Sequence, residues 1–405
     1  MTSKTLKDII IIGGGITGSS LACALGNLGM RVAVIDKKHI KDRTSRVFDG
    51  RATAVAQSNK QMFSIIGVWK HLENKVAPIQ EIRVADGHSP RHLHFDSQDV
   101  NSEALGYMVE NRILNKAVLN SCFNNRNITY ISPATILNIH RQRERVLVQL
   151  TDGTKMESPI LVGADGRNSF VRRFAKIPVK GWPYDQTSLV CTISHEKPHY
   201  NVAHEHFFPS GPLAILPLPG KRSSIVWTEN ATDGENFMAL DEQEFLLELT
   251  KKVGEFLGKL KLLGSRTSYP LSIQFAKTRI SNRIALIGDA AHTIHPIAGQ
   301  GLNLGLRDVA ALAEILTDAH RLGLDLGSNY VLRRYEKWRS FDTVAMLAAT
   351  DGLNTLFSNH ITPIKFLRSV GLAAVNNNIH MKRLFMKQAM GFTGHLPKLL
   401  KGATL

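Results

Sequence analysis

The chain of 405 residues holds no run of about 18 apolar residues, so no membrane-spanning helix is expected. It has only three cysteines, Cys23, Cys122 and Cys191, far apart and without metal-ligand spacing. That argues against a disulfide framework and for free thiols in a reducing cytoplasm. A cleavable leader is not expected either, because its removal would take away the apolar run that begins at Ile9. Repeats, low-complexity segments and nucleic-acid motifs are missing. Ser19 and Ser20 sit in no nucleophile elbow. Acidic residues are absent from 352–405, where Lys365, Arg368, Lys382, Arg383, Lys387, Lys398 and Lys401 contribute to a net charge of +16. Such a tail suits an anionic membrane surface or an acidic partner better than nucleic acid; general surface basicity is the plainer reading.

What is present starts with residues 8–36. Residues 9–12 are a short apolar run, as a buried parallel strand requires. Gly13, Gly15 and Gly18 then complete G-x-G-x-x-G. The first glycine permits a tight turn, the second leaves room for a pyrophosphate, and the third lets the next helix pack close. That helix aims its free N–H groups and positive dipole end at the phosphates. Residues 31–35 form a second strand, and Asp36 closes it at near the usual spacing of about 20 residues, where a carboxylate accepts ribose hydroxyls. An ADP-bearing dinucleotide is expected; this motif alone does not separate NAD from FAD.

Further along, 37–49 reads as a loop, 59–66 as a helix, 79–86 and 92–95 as strands, and 107–119 as a lead into a helix. Aromatic and β-branched runs broken by Pro and Gly make 182–270 an antiparallel sheet, with a helix over 241–260. A buried strand over 283–289 delivers Asp289 at its carboxyl end, where α/β sheets bind ligands. Pro296 stiffens the following turn, and Gly299 and Gly301 let backbone N–H groups approach a flat ring. A helix over 302–316 begins there, and everything after Tyr330 reads as helical. A carboxylate at Asp289 suits the ribityl hydroxyls of a flavin, which NAD lacks.

Three blocks in order resemble the class A flavoprotein monooxygenases of the para-hydroxybenzoate hydroxylase fold: G-x-G-x-x-G at 13–18, Asp165-Gly166-x-x-Ser169-x-x-Arg172, and Gly288-Asp289. The resemblance implies an α/β chain, α+β overall. A Rossmann-like FAD-binding domain (1–75, 98–180, 275–330) would carry an inserted antiparallel-sheet substrate domain (76–97, 181–274) and a C-terminal helical region (331–405). It also places Asp165 and Asp289 by the cofactor. More narrowly, Arg51-Ala-Thr-Ala, Gly106-Tyr107-Met-Val-Glu110-Asn111-Arg112, 206–218, 292–303 and Gln388-Ala-Met-Gly391 look like the ubiquinone-biosynthesis hydroxylases. That implies Arg51 and Arg112 along the FAD, with Gly288, Gly301 and Asn303 also at the cofactor.

The implied activity is hydroxylation of a polyprenylated phenol or quinone precursor, with O2, a flavin C4a-hydroperoxide, and NAD(P)H or a protein donor as reductant. Because the cofactor carries the hard chemistry, no acid–base pair is expected. Pro296, Gly299, Gln300 and Gly301 are the expected flavin-adjacent loop, and the catalytic residues are unknown. The competing reading is a non-hydroxylating flavoprotein that acts as assembly partner of quinone-synthesising enzymes, or another flavoenzyme of this fold. His292 and His295 lack a third metal ligand nearby, so no metal is expected. His204-Glu205-His206 would set both imidazoles on one strand face, toward solvent or toward the substrate pocket. The location implied is cytoplasmic, with peripheral contact to the inner membrane surface left open.

Overall fold

The computed structural model describes residues 5–45, 47–87, 89, 92–293, 300–340, 375 and 378–405. Its centre is a six-stranded sheet in the order Ile280–Ser281, Ile284–Leu286, Ile160–Gly163, Ile9–Ile12, Val32–Ile35 and Ile128–Ile131, parallel except for the first. The strands Ile9–Ile12, Val32–Ile35 and Ile160–Gly163 are buried throughout. Both faces are covered, which is why they read as unbroken apolar runs rather than alternating ones. Helices Ile16–Gly26, Asn111–Phe123 and Gln300–Arg321 pack on one face. A four-stranded sheet of Thr5–Leu6, Lys155–Ser158, Val146–Leu150 and Ile136–Arg141 packs on the other.

The second layer is an eight-stranded sheet. Its order is His292–Thr293, Leu260–Ala276, Val179–His195, Arg222–Asn230, Gly211–Leu218, Val202–Phe208, Glu81–Asp86, His92–Asp96. One face rests on helix Glu242–Val253 through Leu213, Ile215, Ile225 and Trp227. The other face looks toward the six-stranded sheet, and the space between the two sheets is the large cavity. A small sheet of Ala52–Ala56, Gly106–Glu110 and Val76–Ile79 closes one end.

Several boundaries differ from the expected ones. The loop at 37–49 contains a one-turn helix, Ile40–Arg43, whose first turn is capped by the His39 ring accepting from the Lys41 N–H at 3.3 Å. The expected strand 79–86 divides at Gln80 into Val76–Ile79 and Glu81–Asp86, which belong to different sheets. The helix expected at 241–260 ends at Val253, where Gly254 takes φ +81°; its start has the capping box Asp241/Glu244. Helix Gln300–Arg321 is longer than its apolar stripe suggested. The tail is not helical throughout. Residues 329–340 and Ile379–Ala389 are helical, but 391–397 is irregular, with Gly391 and Gly394 at positive φ. No helix among the described residues is long and apolar enough to cross a membrane.

Candidate active site

The cavity has a volume of about 970 Å³ and runs between the two large sheets. Its first end is the turn after Ile9–Ile12. Gly13 takes φ +107°, and a Cβ there would lie 2.2 Å from the Ala164 carbonyl oxygen. A Cβ on Gly18 would lie 2.0 Å from the Gly13 carbonyl oxygen, so this glycine is what lets helix Ile16–Gly26 press on its strand. Gly15 is different. It caps the helix with φ −71°, and a Cβ there would meet nothing nearer than the Arg43 guanidinium at 3.7 Å. The space above Gly15 is open to a ligand at the helix N-terminus, where free N–H groups and the dipole favour anions.

Asp36 is buried at the end of its strand and lines the same end. Its carboxylate is paired with the Arg43 guanidinium and accepts from the Lys38 N–H at 3.1 Å. Lys37, Lys38, Arg43, Arg51, Arg167 and Arg173 all line the cavity, giving it the cationic wall a pyrophosphate needs. Arg51 is itself held by Asp49, its Nε donating at 2.7 Å.

At the far end, Asp289 and Gly301 line the cavity. Asp289 is exposed to the cavity, and desolvation by the walls around it pushes its carboxyl above the ordinary range, against the pull of His292 and Arg167. Gly288, with φ +58°, faces Thr17 of the first helix rather than the open space; a Cβ would come within 3.1 Å of that side chain. Its N–H donates to Asp308 at 3.0 Å. Asp308 is fully buried and also accepts from His292 Nε2 at 2.6 Å and Arg339 Nε at 2.8 Å. Burial alone would raise its pKa, but His292 and the Arg339 guanidinium beside it hold it well below the carboxylate range. This hub fixes the Gly288-Asp289 turn against helices Gln300–Arg321 and 329–340. His292, considered above as half of a metal pair, belongs to it; His295 lies outside the described residues.

The middle block, 165–172, joins the two ends. Asp165 lines the cavity, yet its oxygens accept from Ser169 Oγ at 2.5 Å and from the Phe170 and Val171 N–H groups at 2.6 and 3.1 Å. It therefore caps helix Phe170–Phe174, and Ser169 Oγ accepts from the Arg172 N–H at 2.9 Å. Arg172 donates to the carbonyls of Ala290 at 2.8 Å and Arg167 at 2.7 Å, tying this block to the Asp289 turn.

Besides Gly18 and Gly288, which pack against the first turn and helix, Asn303 and Arg112 also stand off the cavity. Asn303 is buried and does not line the cavity: it accepts from the Ala56 N–H at 2.9 Å and donates to the Ala54 carbonyl at 2.9 Å. It thus staples the cavity strand Ala52–Ala56 to helix Gln300–Arg321. Arg112 lines a separate cleft of about 240 Å³ with Thr44, Ser45 and His71, and its Nε donates to Glu110 at 2.7 Å. Of the expected flavin-adjacent loop, Pro296 and Gly299 lie outside the described residues, while Gln300 and Gly301 open a helix.

The third wall is apolar. Val190, Ala214, Leu216 and Val226 face the cavity from the eight-stranded sheet, with Ser188, Tyr269 and Pro270 at the side. Such a wall suits a ring, and the charged wall opposite suits a dinucleotide.

A glycine turn at a helix N-terminus, a buried carboxylate at a strand end and an apolar wall share one cavity, an arrangement that suits a dinucleotide beside a ring substrate. The FAD-binding-domain family model matches residues 7–342, and the chain belongs to this family, among the FAD-dependent monooxygenases. It is 43% identical to the ubiquinone hydroxylase UbiL of Rhodospirillum rubrum, over 100% of this chain and 95% of that one. It is 31% identical to the 3-demethoxyubiquinol 3-hydroxylase of Escherichia coli, over 95% and 98% of the two chains. The fold matches p-nitrophenol 4-monooxygenase PnpA of Pseudomonas putida with a TM-score of 0.80 and 16% identity, covering 97% of this chain and 100% of that one.

Proposed function

We propose that the chain hydroxylates the aromatic ring of a polyprenylated phenol or quinol precursor of ubiquinone, using FAD, O2 and NAD(P)H. The observation that carries this reading is the continuity of the cavity from Gly15 and Asp36, past Asp289, to the apolar sheet face at Ala214 and Val226. Residues 1–75, 98–180 and 275–330 hold the cofactor, and 76–97 and 181–274 wall the substrate. Asp36 accepts the adenosine ribose hydroxyls once Arg43 releases it. Gly13, Gly15 and the start of helix Ile16–Gly26 hold the pyrophosphate, aided by Arg43 and Arg51. Asp289 accepts the ribityl hydroxyls, and Gly301 opens the helix whose positive end meets the ring system. Bound FAD supplies the activated oxygen; the protein positions the ring and excludes water. The Gly288 and Asp165 blocks set the geometry.

A hydrophobic substrate of this kind resides in membranes. Helix Ile379–Ala389 exposes Met381, Leu384 and Phe385 beside basic residues, and it is the peripheral contact that meets the bilayer. The enzymatic reading is tested by incubating the purified FAD-bound protein with NAD(P)H and short-chain prenylated phenols under isotopically labelled O2. Label in a new ring hydroxyl supports it. Oxidation of NAD(P)H with hydrogen peroxide as sole product, for every phenol tried, would leave the chain as a non-hydroxylating flavoprotein.

A further inference from the structure

Strand Val202–Phe208 carries a carboxylate that the reading above does not use. His204 and His206 occupy one face of the strand; Ala203, Glu205 and Phe207 occupy the other. The imidazole face is turned from the cavity, and His206 Nδ1 pairs with the Gly87 carbonyl at 3.0 Å. Glu205 is paired in register with Ala214, Ala214 with Val226, and Val226 with Val190. Residues directly across a ladder share a face. Ala214, Val226 and Val190 all line the cavity. Glu205 therefore stands on the cavity face of the sheet, one strand beyond Ala214, about 4.8 Å away along the ladder.

Glu205 is not itself among the lining residues; it stands beside Ala214, one strand outside that wall. Glu205 is 9% exposed. Its sheet neighbours on this face are Ala203, Phe207, Ala214, Leu216, Ile82 and Val84. Buried carboxylates are ordinarily paired or hydrogen-bonded. Here burial pushes the carboxyl up to about 7. Among the described residues, the charged groups nearby are otherwise engaged or set apart. Asp86 lies on the same face at the next register position. On the small sheet, Glu110 bonds Arg112 and Arg222. On helix Ile379–Ala389, Lys382 and Arg383 bind Asp99 and its carbonyl. Across the cavity, Arg51 is held by Asp49.

We propose that Glu205 is a catalytic base that takes the hydroxyl proton of the phenolic ring while the ring is oxygenated. This rests on the hydroxylase reading above. The O–H bond of the phenol breaks, and its electron pair moves into the ring toward the ortho and para carbons. One of these carbons forms a bond to one atom of O2. The other atom leaves as water, and the two electrons come from NAD(P)H. The attacked carbon then loses its hydrogen as a proton, and Glu205 returns its own proton to the phenolic oxygen. A carboxylate does this only when ionised, so the base is present above about pH 7 and lost as pH falls below it.

The test uses the FAD-bound full-length protein as wild type, Glu205→Gln and Glu205→Ala, each with a prenylated phenol and with the O-methyl ether of the same phenol. Gln fills the site but accepts no proton. The expected result is a fall of about 10²–10⁴-fold in product formation from the phenol. The acid limb of the wild-type pH profile is lost in Glu205→Gln, and FAD affinity is unchanged. The ether has no proton to give, so its slower hydroxylation is insensitive to Glu205→Gln. Two outcomes overturn the proposal: Glu205→Gln with a wild-type rate and acid limb on the phenol, or an equal loss on phenol and ether, which marks a packing role. If wild type itself hydroxylates no phenol, the hydroxylase reading falls, and the role of Glu205 falls with it.

Discussion

At Gly15 and Gly18 the same residue type answers to different physics. A methyl group on Gly18 collides with a backbone carbonyl, so Gly18→Ala is expected to cost about 1–3 kcal/mol or more of fold stability. A side chain on Gly15 meets open space in the protein itself, so Gly15→Val is expected to fold with near wild-type stability yet purify colourless. Thermal unfolding of the FAD-free proteins together with the flavin spectrum separates the two; a yellow Gly15→Val would move the pyrophosphate elsewhere. Asp289→Ala should weaken FAD more than Asp289→Asn, since Ala leaves the ribityl hydroxyls without a partner, at about 1–3 kcal/mol. Titration of apo-protein by flavin fluorescence quenching reads both, and equal affinities would remove Asp289 from the site. Gly13, Gly15, Gly18 and Asp36 were legible because they answer to local backbone geometry following an apolar strand. Asp165 and Asn303 were legible as important but not in what they do. Their partners, Phe170 N–H in one case and Ala56 N–H in the other, are set by how the chain folds back. Glu205 was visible only as the middle of a His-Glu-His alternation, because which face meets the cavity depends on the neighbouring strand.

The elements are held in register by polar brackets rather than by the sheet alone. Asp308 lies inside the helix expected at 302–316, but the sequence gives no sign that its partners are His292 and Arg339, on elements before and after that helix. It is a buried anion bonded to His292 and to the Arg339 guanidinium, so removing it strands both. Asp308→Ala is expected to destabilise the fold by about 3–5 kcal/mol, and to loosen FAD as the Gly288-Asp289 turn loses its anchor. Because its folded pKa lies below the unfolded value, its stabilisation is present above about pH 4 and is lost as pH falls through the acid range. Glu205 has the opposite sign. Its folded pKa of about 7 exceeds the unfolded value of 4.5, so the folded state holds the proton more tightly. Stability therefore declines as pH rises from the unfolded value to the folded one. Denaturant unfolding across pH 4.5–8 should show that decline in wild type and a flatter profile in Glu205→Gln. Identical profiles would mean that Glu205 is solvated or paired in solution.

For the whole molecule the open question is where the positive charge acts. The helix expected from the stripe Met381, Leu384, Phe385, Ala389 and Phe392 is present as Ile379–Ala389, but Met381, Leu384 and Phe385 of that stripe are exposed, and only Phe392 beyond the helix packs on the core. Met386 and Met390 are buried against Leu105, while Leu384 is 61% and Phe385 47% exposed. The cations also differ from a purely solvated face: Lys382 lies 3.4 Å from the Asp99 carboxylate and Arg383 donates to the Asp99 carbonyl at 2.9 Å. Replacing those two would undock the helix as well as remove charge, so Lys387 with Leu384 and Phe385 is the cleaner set. An apolar side chain transferred from water to the acyl boundary gains about 1.5–3 kcal/mol if fully buried. A basic residue near an anionic leaflet gains about 1 kcal/mol, screened within about 8–10 Å by salt. Wild type should therefore bind vesicles containing anionic lipid with affinity that falls with salt but does not vanish. Leu384→Ser with Phe385→Ser should weaken binding at low and high salt alike, whereas Lys387→Gln should weaken it at low salt only. Flavin content serves as the control for folding in each variant. Cosedimentation in which the Ser variant binds as tightly as wild type would show that this helix does not face the bilayer and would leave the basic tail without a lipid partner.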